Sequence, residues 1–189
     1  GSELFLGLDG DVAYFTAPLS DTNSLDDLIK EKPGLQFVDA RTAATVLSAK
    51  ELGIMAQAKE QLHWHNTHRF CPVCGGQTAV ARGGQVRICK SCAREHFPRT
   101  DPVVIVVVSN KRRCLLGQSR GRLSSMNMYS ALAGFMDHGE CIEEAVAREV
   151  REEAGIEVKN VRYHSSQPWP FPYSLMIGCH AEAASNEIQ

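Results

Sequence analysis

Three glutamates, Glu149, Glu152 and Glu153, crowd into a segment, Cys141 to Ala154, that holds no glycine or proline and is rich in Ala, Glu and Arg. These are good helix formers, and Gly155 follows where a helix C-terminal glycine belongs. At roughly 100° per residue, Ile142, Ala145, Val146 and Val150 form one apolar stripe. Glu149 and Glu153 project into the middle of that stripe and Glu152 onto its edge, so the carboxylates stack over one turn. A Glu-rich helix is most often a solvated face braced by pairs with residues such as Arg148 and Arg151. Here the acids share the apolar face, where anions are costly unless a cation neutralises them. Oxygen-only ligands suit Mg²⁺ or Mn²⁺ better than Zn²⁺.

Sulfur chemistry is concentrated elsewhere. Cys71, Cys74, Cys89 and Cys92 form two C-x2-C pairs with fourteen residues between them, and Gly83-Gly84 turns the chain in that spacer. Paired knuckles of this kind place four thiolates around a structural Zn²⁺. The spacer is one residue shorter than usual. A disulfide pair or a redox C-x-x-C is the alternative, but nothing suggests secretion, and Cys114, Cys141 and Cys179 lie singly. With all four positions filled by cysteine no site remains for water, so one zinc per chain is expected to stabilise the fold without catalysing. Three nearby histidines, His63, His65 and His68, could be mistaken for ligands and read better as helix-end packing.

Ser166 to Ser174 reads SQPWPFPYS, three prolines alternating with aromatics. That density predicts a rigid, extended loop that is neither helix nor central strand. Trp169, Phe171 and Tyr173 on such a loop could frame a flat ring with little ordering entropy.

Taken together these motifs carry a family resemblance. Gly134 to Ile156 matches the Nudix box G-x5-E-x7-R-E-U-x-E-E-x-G-U at Gly134, Glu140, Arg148, Glu149, Val150, Glu152, Glu153, Gly155 and Ile156. A four-cysteine site upstream and SQPWPFPxS downstream resemble the NADH pyrophosphatase branch of the Nudix hydrolases, over roughly Trp64 to Ala183. The resemblance implies cleavage of NAD(H) between its phosphates to NMN(H) and AMP, and removal of NAD caps from RNA. It implies Glu149 and Glu153 as principal Mg²⁺ or Mn²⁺ ligands, with Glu152 and the carbonyl of Ala133 assisting. Gln167, Pro168, Trp169, Pro170, Phe171, Pro172, Tyr173 and Ser174 would hold the dinucleotide. Phe135 and Phe97 would flank a base, with Phe97 serving the partner's site in a homodimer. Another family carboxylate lies beyond the following strand, whereas this chain stops at Gln189, so the last domain is expected to be truncated.

The elements that must position these groups can be traced along the chain. Its 189 residues, 43% hydrophobic, can bury a real core, and a net charge of −2 argues against a general polyanion binder. No apolar run suits a membrane span and no signal peptide opens the chain; Gly1-Ser2 reads as a cloning remnant. A cytoplasmic location is expected; a peroxisomal one stays open, since a truncated end would hide its signal. Leu4 to Thr16 alternates around Asp9-Gly10 as a hairpin. Ser24 with Asp27 reads as a capping box opening a helix that stops before Pro33. Thr42 to His65 reads as one helix weakened at Gly53. Val103 to Val108 is a buried central strand; Cys114–Gly117, Tyr129–Phe135, Val158–Ser165 and Ser174–Ala181 are further strands. The expected fold is α/β: a small α+β domain over residues 3–66, a zinc ribbon over 67–100, and a Nudix α/β/α sandwich with a mixed sheet over 101–189.

The chemistry expected is metal-dependent hydrolysis. Divalent ions on the three glutamates would grip pyrophosphate oxygens and lower the pKa of a bound water, with Glu153 or Glu152 as base. Arg148 reads as a brace for Glu140 or its loop. The alternative is a catalytically impaired ribbon that binds nucleic acid through Arg69, Arg82, Arg87, Lys90, Arg94 and Arg99.

Overall fold

The computed structural model describes residues 3–19, 22–32, 34–118, 125, 127–185 and 187–188. It divides into two compact units, Gly1–Arg99 and Thr100–Gln189.

The first unit opens with the expected hairpin, β1 (Leu4–Asp9) against β2 (Val12–Thr16), whose turn uses Gly10 at φ 59°. Helix α1 (Thr22–Glu31) begins two residues ahead of Ser24, so Ser24 lies inside it. The Ser24 side chain and Pro33 lie outside the described residues. The single helix expected from Thr42 is two: α2 (Ala40–Ala43) and α3 (Ala49–Thr67). Each has its own cap. Asp39 accepts from the backbone N–H groups of Arg41 and Thr42 at 2.9 and 3.2 Å. Ser48 and Glu51 form a reciprocal box, with Ser48 N–H donating to the Glu51 carboxylate at 2.8 Å. A residue at an N-cap leaves the helical conformation, so a second capping signal divides what periodicity alone joins.

Three short antiparallel strands, β3 (Thr78–Ala81), β4 (Val86–Cys89) and β5 (Glu95–His96), form the ribbon; Cys89 ends β4, and Cys71, Cys74 and Cys92 lie in the flanking loops. They dock on α3 through a buried polar cluster. His65, 8% exposed, donates from Nε2 to the carbonyl of Gly84 at 2.8 Å, while its Nδ1 accepts from Arg87 Nη1 at 2.9 Å. Those partners require the neutral ring protonated at Nε2. His68 faces the Trp64 carbonyl at 3.1 Å. His65 and His68 are packing residues, as expected, and among the described residues only the four cysteines form a metal-like group.

The second unit is a five-stranded mixed sheet of α/β type. Its centre is β6 (Asp101–Asn110), parallel to β10 (Ser174–Ala183) on one side. On its other side are the antiparallel strands β7 (Arg113–Cys114) and β8 (Leu132–Phe135). The segments expected as β7 and β8 are longer than the strands formed; beyond them only Gly117 and Ser130 bridge. Strand β9 (Val158–Trp169) closes the far edge against β10. It runs further than expected, taking in Gln167, Pro168 and Trp169. Proline is tolerated there because an edge strand has one side with no ladder to donate into. Helix α4 (Ile142–Ala154) covers the sheet, its Ala145, Val146 and Val150 fully buried against Val104, Val106 and Val108. Among the described residues no helix is long and apolar enough to cross a membrane.

One pH dependence follows from the His65 cluster. Burial, then its charged neighbours Arg87 and His68, outweigh the Gly84 hydrogen bond and hold the His65 pKa below its ordinary value. A base with a depressed folded pKa contributes stability above its unfolded value, about 6.5, and loses it as pH falls toward the lowered value. The urea midpoint of the first unit should therefore fall between pH 7 and pH 5, and do so less steeply in His65→Gln. Parallel pH profiles for the two proteins would remove this assignment.

Candidate functional site

Helix α4 ends as the sequence requires. Gly155 takes the left-handed C-cap, at φ 66°, and its N–H reaches the Arg151 carbonyl at 2.9 Å. At the other end Glu144 accepts from the Cys141 N–H at 2.8 Å, which satisfies one of the free donors of the first turn.

The polar side of this helix is organised by Arg148. Its Nε and Nη2 donate to the two oxygens of Glu140 at 2.6 and 2.9 Å, a fork-on-fork pair. Its Nη1 donates to Glu149 at 2.8 Å and to Glu152 at 3.2 Å, and Nη2 also reaches the carbonyl of Phe135 at 2.8 Å. Glu140 turns back to accept from the Asp137 N–H at 2.9 Å, so the β8–α4 connection is pinned from both sides. The Arg148 hydrogen bond, with that of Asp137, holds the Glu140 carboxyl down to about 2. Arg148 is the expected brace. Its grip on the Phe135 carbonyl was not legible, because a backbone oxygen leaves no mark in sequence.

Glu149 is 13% exposed in its side chain and lies on β8. A Cβ built at Gly134 would fall 1.9 Å from the Glu149 carboxyl carbon and 2.1 Å from its oxygens. The box glycine is therefore the space in which this carboxylate sits. Glu153 is on the rim, exposed, and lines a cavity of ≈ 480 Å³ with Gly117, Gln118, Ser130, Ala131, Leu132 and Ala133. Desolvation, then the charge of Glu149, raise its pKa. Glu152 is 60% exposed and held by Arg148. Glu153 and Ala133 thus share one cavity, Glu149 sits over Gly134, the next residue along from Ala133, and Glu152 is exposed beside Arg148. In chemistry the glutamates suit a hard divalent cation, being all oxygen and anionic, and a Cβ at position 134 would fill the Glu149 cradle, but their carboxylates are not gathered around one centre as the four cysteines are. A second, mostly apolar cavity, by Val108, Leu115 and Ile156, has no acid on its lining and suits no such ion.

The proline-rich segment divides between β9 and a short turn. Gln167, Pro168 and Trp169 pair with Met176, Leu175 and Ser174. Pro170 is buried, the Phe171 N–H donates to the Trp169 carbonyl at 2.7 Å, and Ser174 is buried at the start of β10. Trp169 meets Phe171 edge-on at 5.3 Å and 71°, a preferred aromatic geometry. Pro172 is exposed and Tyr173 half-buried, its carbonyl accepting from Asp101 N–H at 2.9 Å. Phe97 in the first unit and Phe135 in the second are each largely exposed.

The four cysteine sulfurs lie within 4.8 Å of one another, with Cys71 to Cys92 at 3.8 Å and Cys74 to Cys89 at 3.5 Å. Zn–S bonds of about 2.3 Å place tetrahedral sulfurs about 3.8 Å apart, so the cluster has zinc dimensions. The Cys92 backbone N–H, with that of Ser91, brings Cys89 down to about 6 against the opposing effect of burial, whereas Cys74, despite the Gly76 N–H, is pushed up to about 12 by its bonds with Cys92 and Cys89. Sulfur in thiolate form is what a metal requires.

Two outcomes are expected. Gly134→Ala should leave the fold stable, since only the end of a flexible side chain must move, yet weaken Mn²⁺ binding at least tenfold by calorimetry; unchanged affinity would dissociate Glu149 from the metal. Metal analysis should find one zinc per chain, and its removal by a strong chelator should expose residues 66–97 to rapid proteolysis while the second unit stays resistant.

Comparison with known proteins agrees with this geometry. Residues 98–180 match the NUDIX domain, residues 66–97 the NADH pyrophosphatase zinc ribbon domain, and residues 1–64 the NADH pyrophosphatase-like rudimentary NUDIX domain. The opening stretch, outside the range of the sequence resemblance, therefore matches a domain of the same family. The chain is 41% identical to human NAD-capped RNA hydrolase NUDT12, over 96% of itself and 41% of that protein. It is 36% identical to NAD-capped RNA hydrolase NudC of Stutzerimonas stutzeri, over 86% of itself and 58% of that protein. It is 43% identical to human mitochondrial NAD(P)H pyrophosphatase NUDT13, over 81% and 44%. The chain thus spans about two fifths to three fifths of these relatives. A NUDIX hydrolase structure from Nitrosomonas europaea shares the fold, with a TM-score of 0.52 and 22% identity over 62% of this chain and 69% of that one. The box helix, the four-cysteine ribbon and these matches together identify the chain as a member of the Nudix family, in the branch that carries the NADH pyrophosphatase zinc ribbon.

Proposed function

We propose that this chain takes part in hydrolysis of the pyrophosphate of NAD(H), giving NMN(H) and AMP, and in removal of NAD caps from RNA. The observation that carries this reading is the Glu149 carboxylate seated over Gly134, beside the cavity lined by Ala133 and Glu153. Relatives named as NAD-capped RNA hydrolases and NAD(P)H pyrophosphatases, 36–43% identical, supply the substrate class.

In this reading Glu149 and Glu153, with Glu152 and the Ala133 carbonyl assisting, would hold Mg²⁺ or Mn²⁺. Such ions neutralise pyrophosphate oxygens and make bound water more acidic. The remaining work falls to the protein. Arg148 fixes Glu149 and Glu140 so that the carboxylates keep their places between turnovers. Glu153 accepts the proton of the attacking water; its place on the cavity wall favours it over Glu152, whose carboxylate is engaged by Arg148. The edge-on pair of Trp169 and Phe171 within Gln167–Ser174 gives a flat ring a stiff wall. Exposed rings at Phe135 and Phe97 support roles against a base, with Phe97 completing the site of a partner in a homodimer. The seven cysteines, all free of disulfides, support a reducing compartment such as the cytoplasm or peroxisome.

The direct test is incubation of the zinc-loaded protein with NADH and Mn²⁺, followed by chromatography for AMP and NMNH. Glu153→Gln should lower kcat by about 10²–10⁴, the usual worth of a general base, with little change in thermal midpoint. Near-normal turnover in this variant would reject its assigned role, and RNA binding without any product would favour the impaired binding module.

A further inference from the structure

Arg87, which the dinucleotide chemistry leaves unused, is in an unusual position. It is only 6% exposed, yet every partner it has is neutral. Its Nε donates to Thr78 Oγ1 at 2.7 Å and Nη2 to the Thr78 carbonyl at 3.1 Å. Its Nη1 donates to His65 Nδ1 at 2.9 Å and, more weakly, to the His65 carbonyl at 3.4 Å. Among the described residues no carboxylate pairs with it. A buried cation is ordinarily matched by an anion, because neutral dipoles compensate only part of the lost hydration. One Nη2 hydrogen of the guanidinium is left over after these bonds.

The surroundings raise the positive charge further. A second guanidinium, that of Arg69, stands on the same cavity, and among the described residues no acid lines it. Arg69 is exposed and has no side-chain partner among the described residues. Both arginines line one cavity of ≈ 360 Å³ together with Phe70, Gln77 and Thr78. That volume lies within the range of small-molecule sites, about 300–1,000 Å³. Phe70 is 61% exposed and is fixed in register by a bridge to Gln77. An apolar ring this open on a rigid four-cysteine module is held out to solvent with nothing of its own to cover.

A paired guanidinium fork beside an exposed aromatic ring is the chemistry of a phosphate joined to a base. Inorganic phosphate would use the cations and leave the ring idle. We infer that the ribbon cavity formed by Arg69, Phe70, Gln77 and Arg87 binds a nucleotide unit of single-stranded RNA, with a backbone phosphate on the two arginines and an unstacked base on Phe70. Stacking on one aromatic face is tolerant of base identity, so the site grips the RNA chain without reading its sequence. This deepens the capped-RNA part of the proposed function and rests on it for biological meaning. The binding itself is measurable without turnover.

The experiment uses the full zinc-loaded chain and a fluorescent eight-nucleotide single-stranded RNA with no cap, titrated by anisotropy at several salt concentrations without added divalent ion. Arg69→Gln should weaken binding about tenfold and reduce the salt slope by about 0.7, the value for one phosphate contact on a single strand. Phe70→Ala should weaken it about five- to tenfold with the slope unchanged, as loss of one stacked base would. Lys32→Gln, which removes an exposed cation outside the cavity, should stay within twofold; zinc content verifies that each variant is folded. Absence of RNA binding by the unaltered protein, or unaltered affinity in both cavity variants, overturns the inference. Equal loss in Lys32→Gln overturns it in favour of diffuse attraction, and displacement of the RNA by AMP at equal concentration overturns it in favour of a free-nucleotide site. Because no cleavage is required, a failure to hydrolyse NADH would sink the proposed function while leaving this result to stand by itself.

Discussion

Placing several anions against a hydrophobic surface is the constraint around which the second unit is arranged. Glu140 and Glu149 are both largely shielded, and neither could be ionised there at low cost without a fixed cation. Arg148 is that cation. Its planar fork makes a bidentate pair with Glu140, reaches Glu149 and Glu152 with its other terminal nitrogen, and ties the Phe135 carbonyl into the same set. A lysine could not reproduce this, having one charged nitrogen and no planar fork. Through these bonds the end of β8, the connection to α4 and the outer face of α4 become one electrostatic unit. The apolar face of α4 then buries Val146 and Val150 on β6 and fixes the helix in place.

The same problem recurs in sulfur. Four cysteines within bonding distance of one centre cannot all carry charge unless a cation sits among them, and the strands beside them are only two to four residues long. Such strands bury too little apolar surface to fold independently, so metal coordination takes the place of a core. What apolar burial the module has comes from Cys71, Val86 and Cys89, with Trp64 of α3 nearby in sequence and fully buried. His65 and Arg87 join helix to ribbon through a neutral imidazole, a linkage that works only in one tautomer. Arg87 is the exception, a buried charge whose hydrogen-bond partners among the described residues are all neutral.

Much of this was visible in advance, for reasons specific to each element. The α4 stripe, its terminal glycine and its acids repeat at fixed spacings along one helix, so sequence distance translates directly into angle. The β6 run of β-branched residues and the Asp9-Gly10 turn are likewise local signals. Errors arose where two local signals competed. Ser48 and Glu51 carried a capping box that divides Thr42–His65 into two helices, and apolar periodicity concealed it. Pro168 argued against a strand, but β9 is an edge and accommodates it.

The amino-acid order by itself determined the helix bearing the acids, the four-cysteine spacing and the family, because each depends on neighbours a few residues apart or on a fixed motif. Tertiary structure decided which groups meet across the chain. It set the Glu149 carboxylate over Gly134, it gave Arg148 the Phe135 carbonyl, and it drew Arg69 and Arg87, eighteen positions apart, to one cavity. Those contacts depend on how β8 lies under α4 and how β3 pairs with β4, and strand pairing over a distance leaves no periodic trace in a single sequence.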